Sequence, residues 1–395
     1  MNTTTETIAG RVVLLFCNGA GMLDLVILPL WVGGLIRTYS FDPQVAGGLV
    51  TLYLAGMVIA NVSAGFFFHR LPARPVVTTG FLVAASCFFL MLKTDLGGGY
   101  SLALRLGALN LIGGLGAGVA LAVAHGTMSL GHNPHRLFAV ANLGPCIFAV
   151  LFFALTPPMM NTMGVGAVFV NAGAIILIAG VLSLFAFPSI PGKNSPKEVS
   201  ERATGTPTAI LILCFLGLLS MFLANSTILS FVERIGNAEG FESAAIGTGL
   251  MIGGIIPLLS PIAAGFLQNR LAATWTVVFG LLAHGAFAIV QSHPANFLVF
   301  ALANALITST TVFTIIFAFG LLAKLDPSGR MNALTASMTM TGSALGPIYG
   351  GTIAKYVSFS AVGFGAAALA VIGALCFSAV AMRLRKGALV QYVCD

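Results

Sequence analysis

The chain has 395 residues, 58% of them hydrophobic and only 7% charged, with 18 Lys and Arg against 11 Asp and Glu. Soluble domains carry about 25% charged residues, so the whole chain reads as an integral membrane protein. The +7 net charge lies in short segments between apolar runs, which argues against a nucleic-acid surface, and six scattered cysteines show neither metal-ligand spacing nor a disulfide framework.

The first apolar run, residues 12–36, reads VVLLFCNGAGMLDLVILPLWVGGLI between Arg11 and Arg37. As one continuous helix it is long enough to cross a bilayer with some tilt. It exceeds the core of a signal peptide, and no cleavage-like site follows, so it is expected to be retained. Its single charge is Asp24, about 18 Å from either end at roughly 1.5 Å per residue. A carboxylate at that depth needs a partner or water. Asp24 is therefore expected to face an aqueous cavity as a proton carrier or cation contact. The alternative is an aspartate that stays protonated and only packs. Tyr53 and Trp31 are candidate aromatic walls, with an interfacial anchor as the other reading of Trp31.

Further spans are predicted at 44–68, 76–92, 102–124, 137–156 and 164–187. A polar linker follows at 188–207, then spans at 208–232, 243–268, 272–290, 296–323, 331–356 and 359–382, and a tail at 383–395. That is twelve spans in two sixes. An even count puts both termini on one side. Loops on that side hold thirteen Lys and Arg, among them Arg70, Arg74, Arg136, Arg270, Arg330 and Arg385, against five on the other. The excess predicts cytoplasmic termini and linker. The halves also echo each other. AGFFFHRL at 64–71 matches AGFLQNRL at 264–271, and Arg136 and Arg330 open equivalent spans. A duplicated six-helix unit implies a pseudo-twofold around a central cavity.

This pattern resembles the major facilitator superfamily over essentially the whole chain. The family's loop after the second span carries glycines, an aspartate–arginine pair and further basic residues. Here it reads GFFFHRLPAR, with Gly65, Arg70 and Arg74 matching, His69 in the acidic position and Pro72 in place of the second glycine. Asn269 occupies the acidic slot of the repeat. The family's fourth-span pattern of an arginine followed by glycines appears as Asn110 with Gly113, Gly114, Gly116 and Gly118, and Arg105 lies five residues earlier. The eleventh span carries Gly342, Gly346, Pro347, Gly350 and Gly351, similar to the glycine–proline signature of family antiporters in the mirror-image fifth span. Asp24 with Pro29 resembles the first span of twelve-helix proton-coupled exporters. The resemblance implies an all-α integral membrane fold of twelve transmembrane helices in two pseudo-symmetric bundles, 1–187 and 208–382. It implies a working monomer in a bacterial cytoplasmic membrane, with Arg70, Arg74, Arg105, Gly342, Gly346 and Pro347 in gating roles.

Other in-span polar residues extend the expected cavity: Asn110, Asn225, Thr308, Thr311 and Thr341. His125 is placed near the headgroups. Glu233 and Arg234 are expected to pair at an outer gate, and no basic residue is expected at mid-depth. Together these readings predict proton-coupled transport of a small organic solute, by efflux in exchange for protons. Proton symport of an organic acid with Arg105 as anion contact is the first alternative, and facilitated uniport the second. Protons, the solute and membrane lipid are the expected partners. No catalytic cluster, metal site, cofactor or nucleotide-binding loop is predicted.

Overall fold

The computed structural model describes residues 4–67, 72–93, 100–129, 137, 140–141, 143–188, 208–267, 270–325 and 330–394. For 65–67, 100, 129, 323–324, 330–337 and 386–394 only the backbone is described. Arg70, His69, Arg136, Asn269 and linker residues 189–207 lie outside these segments. The chain divides into two units, Met1–Lys197 and Glu198–Asp395, and the division falls within the expected linker.

The first unit comprises α1 (Ile8–Gly21), α2 (Leu23–Tyr39), α3 (Pro43–Phe67), α4 (Ala73–Met91), α5 (Tyr100–Ser129), α6 (Leu143–Met163) and α7 (Gly166–Ala186). The second comprises α8 (Thr208–Ala238), α9 (Ser243–Ile255), a 3-10 turn (Ile256–Leu259), α10 (Ser260–Leu267), α11 (Ala273–Ser292), α12 (Phe297–Leu325), α13 (Arg330–Tyr356) and α14 (Ala361–Cys394). Among the described residues eleven spans are long and apolar enough to cross a bilayer, with α1 and α2 joined as one and α9 to α10 as another. The twelfth, α13, matches them in length at 27 residues, but Ser, Thr and Gly replace much of its apolar surface. Such a composition suits packing against other helices.

Each unit builds its interior by the same pairing. In the first, α5 packs on α3 and α4, and α4 packs on α7. In the second, α12 packs on α9, α10 and α11, and α11 packs on α14. Small residues permit the approach: a Cβ on Gly118 would stand 2.7 Å from Met57 Cα, and one on Gly114 would overlap the carbonyl oxygen of Tyr53. Without a hydrophobic force between helices in lipid, such backbone proximity is a main source of cohesion.

Three boundaries depart from the sequence reading. Residues 12–36 are not one helix: Met22 (φ −108°, ψ 12°) separates α1 from α2. Gly19 and Gly21 weaken the helix there, and Asp24 favours a helix's first turn over its interior. The fifth span continues to Met163 through Pro157 and Pro158, beyond its expected end at 156. Inside a bilayer, leaving the helix exposes more backbone than two prolines disrupt. Finally, α14 extends through the expected tail to Cys394.

Candidate functional site

The helix break determines the setting of Asp24. It lies in the first turn of α2, where the positive end of the helix dipole favours a carboxylate. The backbone N–H groups of Asp24 and Leu25 hydrogen-bond to it. Pro29, one turn on, has no N–H for the Leu25 carbonyl. Asp24 is 6% exposed and, among the described residues, forms no ion pair.

An aromatic wall stands beside it. Tyr53 on α3 lies within electrostatic reach of Asp24. Trp31 packs edge-on against Tyr53 (centroids 5.3 Å apart), and Phe88 of α4 sits 5.3 Å from Trp31 and 5.7 Å from Tyr53. Trp31 is fully buried and packs inside the unit. Asn110 is buried on α5, one turn before Gly113, whose Cβ would lie 3.4 Å from the Tyr53 ring. Two polar atoms here have no hydrogen-bond partner, Trp31 Nε1 and Asn110 Oδ1. Buried polar groups are rarely left so without water or a ligand to meet them.

A second polar pair went unread in the sequence. Asn18, fully buried on α1, donates from Nδ2 to the Ala141 carbonyl (3.1 Å), and its Oδ1 lies 2.7 Å from His125 Nε2. His125 is thus tied to α1. The expected basic residues separate. Arg74 donates from Nε (2.7 Å) and Nη2 to the carbonyl of Leu184, near the end of α7, and so caps that helix within its own unit. Arg105 is exposed and forms no ion pair with Asp24.

In the second unit the expected residues Asn225 and Thr311 meet. Thr311 Oγ1 is 3.1 Å from Asn225 Oδ1, 2.9 Å from the Ile307 carbonyl and 3.0 Å from His284 Nδ1. The chain of contacts joins α8, α12 and α11. His284, 1% exposed in the middle of α11, is the basic residue the sequence reading did not see. With the single Thr311 proton given to Asn225 or to Ile307, the hydroxyl accepts from Nδ1–H, which leaves Nε2 an acceptor without a partner. The available signal was a histidine eleven residues inside an apolar span. Thr308 instead bonds back to the Asn304 carbonyl (3.2 Å), and Thr341 is half-buried on α13.

Glu233, 3% exposed, is a second buried carboxylate. It accepts from Asn237 Nδ2 one turn on, and Arg234 stands 5.7 Å over the Phe359 ring. The glycine–proline face of α13 is engaged by α8. Cβ atoms on Gly342 and Gly346 would lie 2.7 Å from the Leu219 carbonyl and 2.5 Å from Ser226 Cβ. Pro347 cannot donate to the carbonyl of Ser343 four residues earlier, and the Ser226 hydroxyl donates to that carbonyl instead, at 2.7 Å.

No protein-family model matches the chain. The multidrug resistance protein MdtL of Salmonella heidelberg (strain SL476) is 24% identical over 233 residues, 56% of this chain and 57% of that protein. The chain thus spans just over half the length of the curated relatives it matches. Among solved structures, a D-xylose–proton symporter superposes with a TM-score of 0.75 at 13% identity, over 93% of this chain and 96% of that one. The nucleoside transporter NupG superposes at 0.71 and 14%, over 94% and 98%. With all-α spans in two units that repeat one internal pairing, the chain has the fold of the major facilitator secondary transporters.

Proposed function

We propose that the protein is a secondary active transporter that moves a small, neutral organic solute together with protons, and that Asp24 carries the proton. The observation that carries this reading is a buried carboxylate at a break in a transmembrane span, without a counter-ion among the described residues, near the aromatic cluster of Trp31, Tyr53 and Phe88. A carboxylate so placed needs a proton, a cation or water to meet it, and alternating access brings these to it in turn. The unpartnered Trp31 Nε1 and Asn110 Oδ1 favour a solute with its own hydrogen-bonding groups. An anionic solute would call for a cation at the site, and Arg105 is exposed. Likeness over nearly the whole chain to a proton symporter supports symport. Exchange against protons in the outward direction is the second reading, supported by the sequence relationship to multidrug resistance proteins. The excess of thirteen basic residues over five supports cytoplasmic termini in either case.

The test uses proteoliposomes with an internal pH dye, screened with neutral sugars, nucleosides and lipophilic amides, comparing the wild type with Asp24→Asn at equal incorporation. Solute-driven proton movement in the direction of the solute gradient, lost in Asp24→Asn, supports symport. Movement against it, also lost in the variant, supports exchange. Equal solute flux in both proteins with no proton movement returns uniport and removes the coupling role from Asp24.

A further inference from the structure

We infer that the second unit carries a binding site for one acyl chain of an anionic phospholipid, with Arg270 and Arg385 at its headgroup end. The 3-10 turn at Ile256–Leu259, with Pro257 in it and Pro261 just after, splits α9 from α10. Both the turn and α10 pack on α12, which also carries α11. A groove of about 680 Å³ lies between them, walled by Leu259, Trp275, Phe279, Leu306 and Phe313. Leu259 and Phe279 are 63% and 64% exposed, so the groove opens sideways, toward lipid.

Length and charge select the occupant. Along α11 the lining runs from Leu271 to Ala283, which is about 18 Å at roughly 1.5 Å per residue. One leaflet of hydrocarbon is about 15 Å deep, half of the bilayer's ~30 Å. A single extended acyl chain spans that depth. The end at Leu271 is the basic one. Arg270 immediately precedes it and is exposed, and the Arg385 guanidinium stands 5.7 Å over the ring of Trp275, a wall residue. Basic groups at the membrane end of an interhelical groove match an anionic headgroup. Each cation contributes enough for two to prefer an anionic over a zwitterionic lipid on the order of tenfold.

Trp275 is a built-in reporter, since the chain has only one other tryptophan, the buried Trp31. Full-length protein is reconstituted in vesicles containing increasing fractions of brominated phosphatidylglycerol or brominated phosphatidylcholine, and tryptophan quenching is followed. The expected half-quenching fraction is on the order of tenfold lower for phosphatidylglycerol. That preference disappears in Trp275→Phe and falls to the phosphatidylcholine level in Arg270→Gln/Arg385→Gln. Unchanged phosphatidylcholine quenching in the double variant shows that it is folded. Equal half-quenching for the two lipids, a preference that survives in Trp275→Phe, or one indifferent to the arginine substitutions each overturns the assignment.

Discussion

Replacing Ser226 by alanine tests whether a proline in one helix is completed by a hydroxyl on another. Pro347 leaves the Ser343 carbonyl without its own helical donor, and Ser226, 1% exposed on α8, supplies one at 2.7 Å. Ser226→Ala removes that donor without adding volume. An unsatisfied buried acceptor costs about 1–3 kcal/mol, whereas interhelical hydrogen bonds in membrane proteins average about 0.6 and reach about 1.7 kcal/mol. A loss of about 1–1.5 kcal/mol is expected, because no water at this depth is available to the carbonyl. The partner variant, Pro347→Ala, restores a backbone N–H at position 347, and in that background Ser226→Ala should cost no more than a few tenths of a kcal/mol. The double-mutant cycle is read by reversible unfolding in mixed micelles, and a coupling of about 0.5–1.5 kcal/mol is expected. Equal cost in both backgrounds, or no cost in the Pro347 protein, refutes the reasoning.

Gly114→Leu places a side chain where the Tyr53 carbonyl lies. It should separate α3 from α5, destabilise by about 1–3 kcal/mol and lower solute transport by moving the aromatic wall; a wild-type unfolding midpoint with wild-type flux would count against it. Thr311→Val removes the hydroxyl that joins Asn225, His284 and Ile307. It should lose about 1–3 kcal/mol that Thr311→Ser retains, and equal midpoints for the two would show the contact chain to be idle.

The amino-acid sequence by itself determined the membrane class, the existence and approximate limits of the spans, and the division into two sixes. Span-length hydropathy, basic loops and the repeat at residues 64–71 and 264–271 are local properties of the chain. It also singled out Asp24, since one carboxylate in an apolar run is visible without coordinates, and it named Tyr53, Asn225 and Thr311 as polar or aromatic groups within spans. Only the tertiary structure decided what these groups meet. The break at Met22, the packing of Trp31, Tyr53 and Phe88 on one another, and the placing of Asn18 against His125 depend on which face each helix turns to its neighbours. Apolar periodicity normally reveals that face, but in a bilayer both the lipid-facing and the packed sides are apolar, so the rotational signal is lost. The same loss hid His284, whose partner Thr311 in turn meets Asn225 of a helix remote in the chain, and the Ser226 hydroxyl that completes α13 at Pro347.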